Sequence, residues 1–295
     1  MPVSNRFSPG AHSFITSSGA TLTYVVAGQG PRLLVNVAPG WGCGSPLYQN
    51  SFTFLQDCFT YLHLEVRGSR GSSFPDEPSH MSSWHMSEDI EALRIYLGLD
   101  AFDGLAGHSN GGCIALWYAV RHPTRVLNLV LLDTSVLGPD ADAVGKPATK
   151  AILDARPDRD VVEAAGRFDI DKYETDEDFG KAMESILPLY VARPERDLAR
   201  FKECMSNLPQ IKCAKAHFPA EKAHSDQDGQ LNLVRARVLI VVGREDFVCP
   251  VPVSELIRQR IAGATLSIVD DSGHLPWIEQ PDIFERLLKS FYGLT

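Results

Sequence analysis

Apolar positions along the chain fall into short blocks bounded by turn-forming clusters, and these blocks alternate with stretches of helical spacing. Ser13-Phe-Ile-Thr16 and Thr21-Leu-Thr-Tyr-Val-Val26 predict strands around a Ser-Gly turn at Ser17 to Gly19. Gly28-Gln-Gly-Pro31 breaks the chain, and Leu33-Leu-Val-Asn-Val37 follows as a continuous apolar run of buried-strand type, ended by Ala38-Pro-Gly-Trp-Gly42. A helix is expected after Pro46, then a strand over Tyr61–Val66. Met86 to Leu97 has helical spacing, with Ile90, Leu93 and Leu97 on one face and Glu88, Asp89 and Glu91 mostly off it. Phe102–Ala106 reads as a strand, Cys113–Val120 as a helix, and Arg125–Leu132 as another apolar strand ending at Asp133.

The texture then changes. From about Gly138 to about Leu233 no strand alternation is present, and the first half of that segment is strongly acidic, from Asp158 through Glu184. Strand pattern resumes at Arg237–Val242 and once more at Ala264–Val269, and a terminal helix is expected from about Asp282 to Tyr292. Strands alternating with helices, some of them wholly apolar, predict a mainly parallel sheet covered on both faces. The flanks of the long helical segment belong to one sheet, so residues 138–233 are expected to form a cap, and 1–137 with 234–295 the core. No internal repeat or low-complexity linker is evident.

Composition narrows the function classes. A chain of 295 residues with 44% hydrophobic and 22% charged residues has the profile of an ordinary soluble globular protein. A net charge of −9 argues against nucleic acid or an anionic membrane as the main partner, because both reward clustered Lys and Arg. The six cysteines lack CxxC spacing, so neither a zinc site nor a dense disulfide framework is expected. Cys204 and Cys213 are read as idle thiols. No apolar leader segment or run of transmembrane length occurs, and a reducing cytosolic setting is the default expectation.

The segment organising the chemistry is Gly107-His108-Ser109-Asn110-Gly111, placed between a strand and a helix. Gly-x-Ser-x-Gly in that context is the pattern of a nucleophile elbow, which lifts one serine hydroxyl above the end of the sheet. Such a loose pattern also arises by chance in strand-to-helix turns, so it needs partners. A serine hydroxyl requires a base within hydrogen-bond reach. His274, in Asp270-Asp-Ser-Gly-His-Leu-Pro276, is the histidine that follows a late strand, at the sheet edge where α/β proteins place ligands. The base needs an orienting carboxylate. Asp246 in Gly243-Arg-Glu-Asp246 is the candidate, with Glu245 and Asp133 as alternatives. The chain order Ser109, Asp246, His274 suits this chemistry. Oxyanion donors are expected from the backbone N–H groups of Trp41 and Asn110.

These motifs together resemble the α/β-hydrolase superfamily over nearly the whole chain: the Gly-His-Ser-Asn-Gly-Gly elbow, the Arg67-Gly68 loop, the Gly-Arg-Glu-Asp loop and the Ser-Gly-His loop fall in the expected order. The resemblance implies an eight-stranded α/β-hydrolase fold with a helical cap inserted between two late strands. Asp89-Ile-Glu-Ala-Leu-Arg-Ile-Tyr-Leu-Gly98 and Leu187-Pro-Leu-Tyr190 further resemble the proline iminopeptidase branch. That branch usually carries His-Gly-Gly-Pro-Gly at the oxyanion loop, where this chain has Ala38-Pro-Gly-Trp-Gly42, and Gly-Gly-Ser-Trp-Gly at the elbow. Its usual Asp-x-Arg-Gly loop begins here with Glu65.

The expected activity is hydrolysis of a small ester, lactone or amide through a Ser-His-Asp triad and an acyl-enzyme. A prolyl aminopeptidase is the alternative, with Glu174, Glu177 or Glu184 as carboxylates for a substrate amino group. A carbon–carbon bond hydrolase or lyase, or a non-hydrolytic binding protein, are further readings. The substrate pocket is expected between cap and sheet edge, with Trp41, Phe74, Trp84, Tyr190 and Trp277 as candidate walls, although large aromatics are more often plain core. No metal or organic cofactor is expected, and the chain is read as a monomer or homodimer.

Overall fold

The computed structural model describes residues 3–205 and 209–294; residues 1, 2 and 295 of the expected core and 206–208 of the expected cap lie outside them. Eight strands form: β1 (Gly10–Ile15), β2 (Thr21–Gly28), β3 (Arg32–Val37), β4 (Phe59–Glu65), β5 (Phe102–His108), β6 (Val126–Leu132), β7 (Arg237–Gly243) and β8 (Thr265–Val269). They make one sheet in the order β1-β2-β4-β3-β5-β6-β7-β8. β1 and β2 are antiparallel to their neighbours, and every pairing from β4 onward to β8 is parallel. β1 begins ahead of the expected Ser13, and β5 runs on to His108, because both extensions find ladder partners in β2 and β6.

Helices α1 (Pro46–Ser51), α2 (Ser83–Leu97) and α3 (Asn110–Arg121) follow the first parallel strands. Five more lie between β6 and β7: α4 (Pro139–Ala155), α5 (Arg159–Gly166), α6 (Asp176–Ile186), α7 (Pro194–Cys204) and α8 (Ile211–Glu221). α9 (Val251–Arg260) joins β7 to β8, and α10 (Pro276–Glu279) and α11 (Pro281–Tyr292) close the chain. β3 and β5 sit at the centre, and α3 is buried from Asn110 to Val120, which accounts for its nearly unbroken apolar sequence. The apolar face of α2 is carried by Met86, Ile90, Leu93 and Leu97.

One charge on α2 departs from the sequence reading. Asp89 is buried, because Arg67 supplies it with a backbone N–H at 2.8 Å and a guanidinium at 2.6 Å. A desolvated carboxylate persists only with such partners. All six cysteines are free thiols. Among the described residues no helix is long and apolar enough to cross a membrane.

Candidate active site

The elbow is built by close packing. A Cβ on Gly107 would stand 2.3 Å from the Gly111 carbonyl oxygen, and one on Gly111 2.4 Å from that of Val37. No residue larger than glycine fits either position, so β5 passes directly into α3. Ser109 absorbs the turn at φ 54° and ψ −124°, a region that costs an L-residue roughly 1–3 kcal/mol. Two ladder-like bonds hold it there: Ser109 N–H donates to Leu132 O at 3.0 Å, and Ser135 N–H donates to Ser109 O at 3.2 Å.

The loops after β7 and β8 press on one another. A Cβ on Gly243 would lie 1.8 Å from Gly273 O, so only glycine permits the approach. That contact brings Asp246 to His274, whose Nδ1 lies 2.8 Å from Asp246 Oδ2. The other carboxylate oxygen of Asp246 accepts the backbone N–H groups of Val248 (2.8 Å) and Cys249 (3.1 Å). Both side chains are almost wholly buried. A doubly anchored carboxylate on Nδ1 leaves Nε2 as the basic nitrogen of the ring.

Of the three candidate acids, Asp246 alone contacts the histidine. Glu245 turns outward to Arg193 at 3.0 Å. Asp133, fully buried at the end of β6 with φ 41°, accepts Gly243 N–H at 2.9 Å through one oxygen, and its other oxygen has no partner among the described residues. Burial, and then the nearby charge of Asp246, push its carboxyl well above the usual range, while the Gly243 N–H pulls the other way and Glu279 adds a further negative charge. Burial therefore favours the neutral form of Asp133. Its contribution to stability is complete below the ordinary carboxyl value and is lost as pH rises toward its folded value, because only the unfolded chain ionises freely. Asp133→Asn keeps the acceptor and removes the titration. Its melting temperature is expected to gain on that of the wild type as pH is raised from 5 to 8, by roughly 2–4 °C per kcal/mol of penalty removed. Thermal scans at both pH values check this; an equal or shrinking difference contradicts the neutral assignment.

His274 is also fixed through its backbone. Its N–H donates to Tyr190 O at 2.7 Å, and its carbonyl lies 2.9 Å from His108 Nε2. His108 Nδ1 lies 2.9 Å from the Tyr48 hydroxyl. With a carbonyl on Nε2, that nitrogen carries the proton and Nδ1 accepts from Tyr48; burial, reinforced by His274, holds the ring neutral, well below the ordinary histidine value. Glu279 completes the loop: its carboxylate accepts the N–H groups of Gly273 (2.9 Å), Leu275 (3.2 Å) and Ala192 (2.7 Å), with Ser272 Oγ at 3.2 Å. Sequence reasoning missed Glu279, which carries no motif of its own and looks like one more surface acid of a terminal helix.

Trp41 lies at φ 59° between Gly40 and Gly42, both also left-handed. Its carbonyl accepts Gln210 N–H at 2.7 Å, and its ring packs on His217 and Phe218 with centroids at 5.6 and 5.1 Å. Asn110 opens α3, where the first N–H groups have no intrahelical acceptor. The elbow motif gives a role only to its backbone N–H. The amide Nδ2 donates to Pro39 O at 2.8 Å and Oδ1 accepts from Ser83 Oγ at 3.0 Å, while Ser83 N–H donates to Glu221 of α8 at 2.7 Å. The residue after the serine thus ties the elbow to the Pro39–Gly42 loop and to the inserted helices.

Ser109, His274, Trp41 and Asn110 share the wall of one cavity of about 120 Å³, with Tyr48, Leu187, Tyr190, Phe201, Met205 and Leu275. Of the aromatic candidates, Trp41 and Tyr190 line it. The other three do not: Trp84 stacks on His224 at 4.4 Å with Arg121 over its face, Phe74 lies under Lys212, and Trp277 is core with its N–H donated to Ser51 Oγ at 2.9 Å. Cys43 also lines the cavity, but burial pushes its thiol up to about 12, and burial raises the Cys249 thiol well above its ordinary value, so both favour the protonated form. Asp246, Cys249 and His274 offer ligand atoms within 4.8 Å of one another among the described residues. Asp246 and His274 are already bonded to each other and the thiol favours its protonated form, so the set does not fit a metal ion.

The family profile described as alpha/beta hydrolase fold matches residues 34–281. A proline iminopeptidase, PfmaB of Pestalotiopsis fici, is 23% identical over 280 residues, covering 94% of this chain and 98% of its own. The 3-oxoadipate enol-lactonase 2 of Acinetobacter baylyi is 23% identical over 276 residues, covering 94% of each. The solved structure of an alpha/beta fold family hydrolase from Bacillus anthracis aligns with a TM-score of 0.72 at 20% identity, over 95% of this chain and 98% of that one.

Proposed function

The chain is a hydrolase belonging to the α/β-hydrolase fold family, and on that premise we propose that it cleaves a carboxylic ester, lactone or small amide through Ser109, His274 and Asp246. The observation that carries the reading is the buried 2.8 Å bond from Asp246 to His274, which lines the same cavity as the strained Ser109. In the proposed reaction His274 Nε2 takes the Ser109 proton as Oγ attacks the carbonyl carbon. The resulting oxyanion is held by the N–H groups of Trp41 and Asn110. Collapse of the tetrahedral species breaks the bond to the leaving group, which receives the proton from His274. Water, deprotonated by the same nitrogen, then attacks the acyl-Ser109 ester. The carboxylic acid leaves and Ser109 recovers its proton. Asp246 keeps Nδ1 protonated throughout and offsets the imidazolium charge.

The prolyl aminopeptidase reading has less support. A free α-amino group needs a carboxylate, and the wall of the Ser109 cavity contains none among the described residues. Glu174, Glu177 and Glu184 are all exposed, the first two paired with Lys215 and Lys181. The test is labelling with a fluorophosphonate, read by peptide mass spectrometry, alongside parallel assays of p-nitrophenyl acetate and proline p-nitroanilide. An adduct on Ser109 with release from the ester is expected. An adduct elsewhere, or none on folded protein, removes the serine mechanism; faster release from the proline anilide moves the assignment to the peptidase.

A further inference from the structure

We infer that the substrate is a neutral ester, small on one side of its carbonyl and bulky and apolar on the other, whose bulky group occupies a second cavity under α4, α5 and α6. The inference rests on the Ser109 reading and deepens it.

The second cavity measures about 730 Å³, against about 120 Å³ for the one at Ser109. The smaller space holds roughly four water volumes, so it accepts only a few carbon atoms. The larger is in the range of sites that bury a whole drug-sized ligand. Trp41, Met183, Tyr190 and Val248 border both spaces, so the large cavity begins beside the residue proposed to bind the oxyanion.

Its chemistry is uniform. Leu153, Val162, Phe168, Phe179, Phe247 and Val253 supply apolar wall. The charged groups on its lining neutralise one another: Lys146 pairs with Asp142 at 2.6 Å and Lys150 with Asp154 at 2.5 Å, all four well exposed to water. Two of its hydroxyls are spent internally, Thr149 Oγ1 donating to Phe247 O at 2.8 Å and Ser135 Oγ lying 3.2 Å from Cys249 Sγ. A charged ligand would meet no uncompensated partner there. An apolar group gains by leaving water, and each methylene that enters is worth roughly a three- to four-fold change in kcat/KM.

The test uses two ester series. One varies the acyl chain on p-nitrophenol, and the other varies the alcohol on acetate, from methyl to naphthylmethyl. One series is expected to rise with size, by about 10² across four added carbons, and the other to fall once the small cavity is full. Gly166→Trp narrows the large cavity: Gly166 lines it, and a Cβ there meets nothing within 4 Å. The ratio of bulky- to small-ester kcat/KM is expected to drop at least tenfold, mainly through KM. Val162→Trp, from the same helix, repeats the measurement should the first variant fold poorly. Two flat profiles, two equal rises, or a ratio untouched by both tryptophans in folded protein would overturn the inference. Loss of the serine reading looks different: Ser109→Ala would then retain turnover of every ester.

Discussion

Replacing Ser109 by alanine is expected to lower kcat on any ester the protein turns over by roughly 10⁴–10⁶, the scale seen when a serine nucleophile is removed. The substitution deletes one oxygen and little else. The backbone bonds of residue 109 to Leu132 and Ser135 survive in alanine. The left-handed backbone strain is common to both residues. Melting temperature should therefore stay within about 2 °C, equivalent to less than 1 kcal/mol at this size. The two readouts together separate chemistry from folding. Initial rates that persist at a tenth of wild type would exclude an acyl-Ser109 intermediate.

Asp246→Asn is expected to cost about 10⁴ in kcat with little change in KM, and the anchoring of the carboxylate gives the reason. Val248 and Cys249 both donate N–H groups to one oxygen, so the amide oxygen of an asparagine must stay with them. The amide nitrogen then faces His274 Nδ1 and donates to it. That selects the tautomer with the proton on Nε2, the nitrogen that must accept the serine proton. Turnover should recover partly as pH rises and hydroxide takes the place of the base. Asp246→Ala removes the wrong-way donor as well as the carboxylate, so it should be no worse than Asp246→Asn. If Asp246→Asn retained near wild-type rates, the buried Asp133 would be the working acid. A sharp rise of rate with pH as Asp133 ionised would reveal it.

The neighbourhood of His274 shows where sequence patterns stop being informative. Gly243 and Gly273 are each visible as turn residues, but their significance lies in touching one another, a contact between segments far apart in the chain. Glu279 satisfies three backbone N–H groups from two separate segments, and nothing in Trp277-Ile-Glu-Gln280 announces it. Trp84 and Trp277 look like pocket walls by residue type. The first spends its faces on Arg121 and His224, and the second its N–H on Ser51.

Local rules determined a great deal. Apolar runs and turn clusters place all eight strands to within a few residues, because each strand's period and its flanking breakers are encoded locally. Gly107, Ser109 and Gly111 mark the elbow, because Gly107 packs on Gly111 within five consecutive residues, although Gly111 is also required by the Val37 carbonyl of β3. Tertiary structure alone decided which of Asp133, Glu245 and Asp246 lies against His274, since all three follow apolar strands and differ only in where the packed loops point them. It also decided which aromatics face the serine and that the space beside it is divided into a small and a large cavity. Those outcomes depend on contacts between distant segments, whose energies no local window contains.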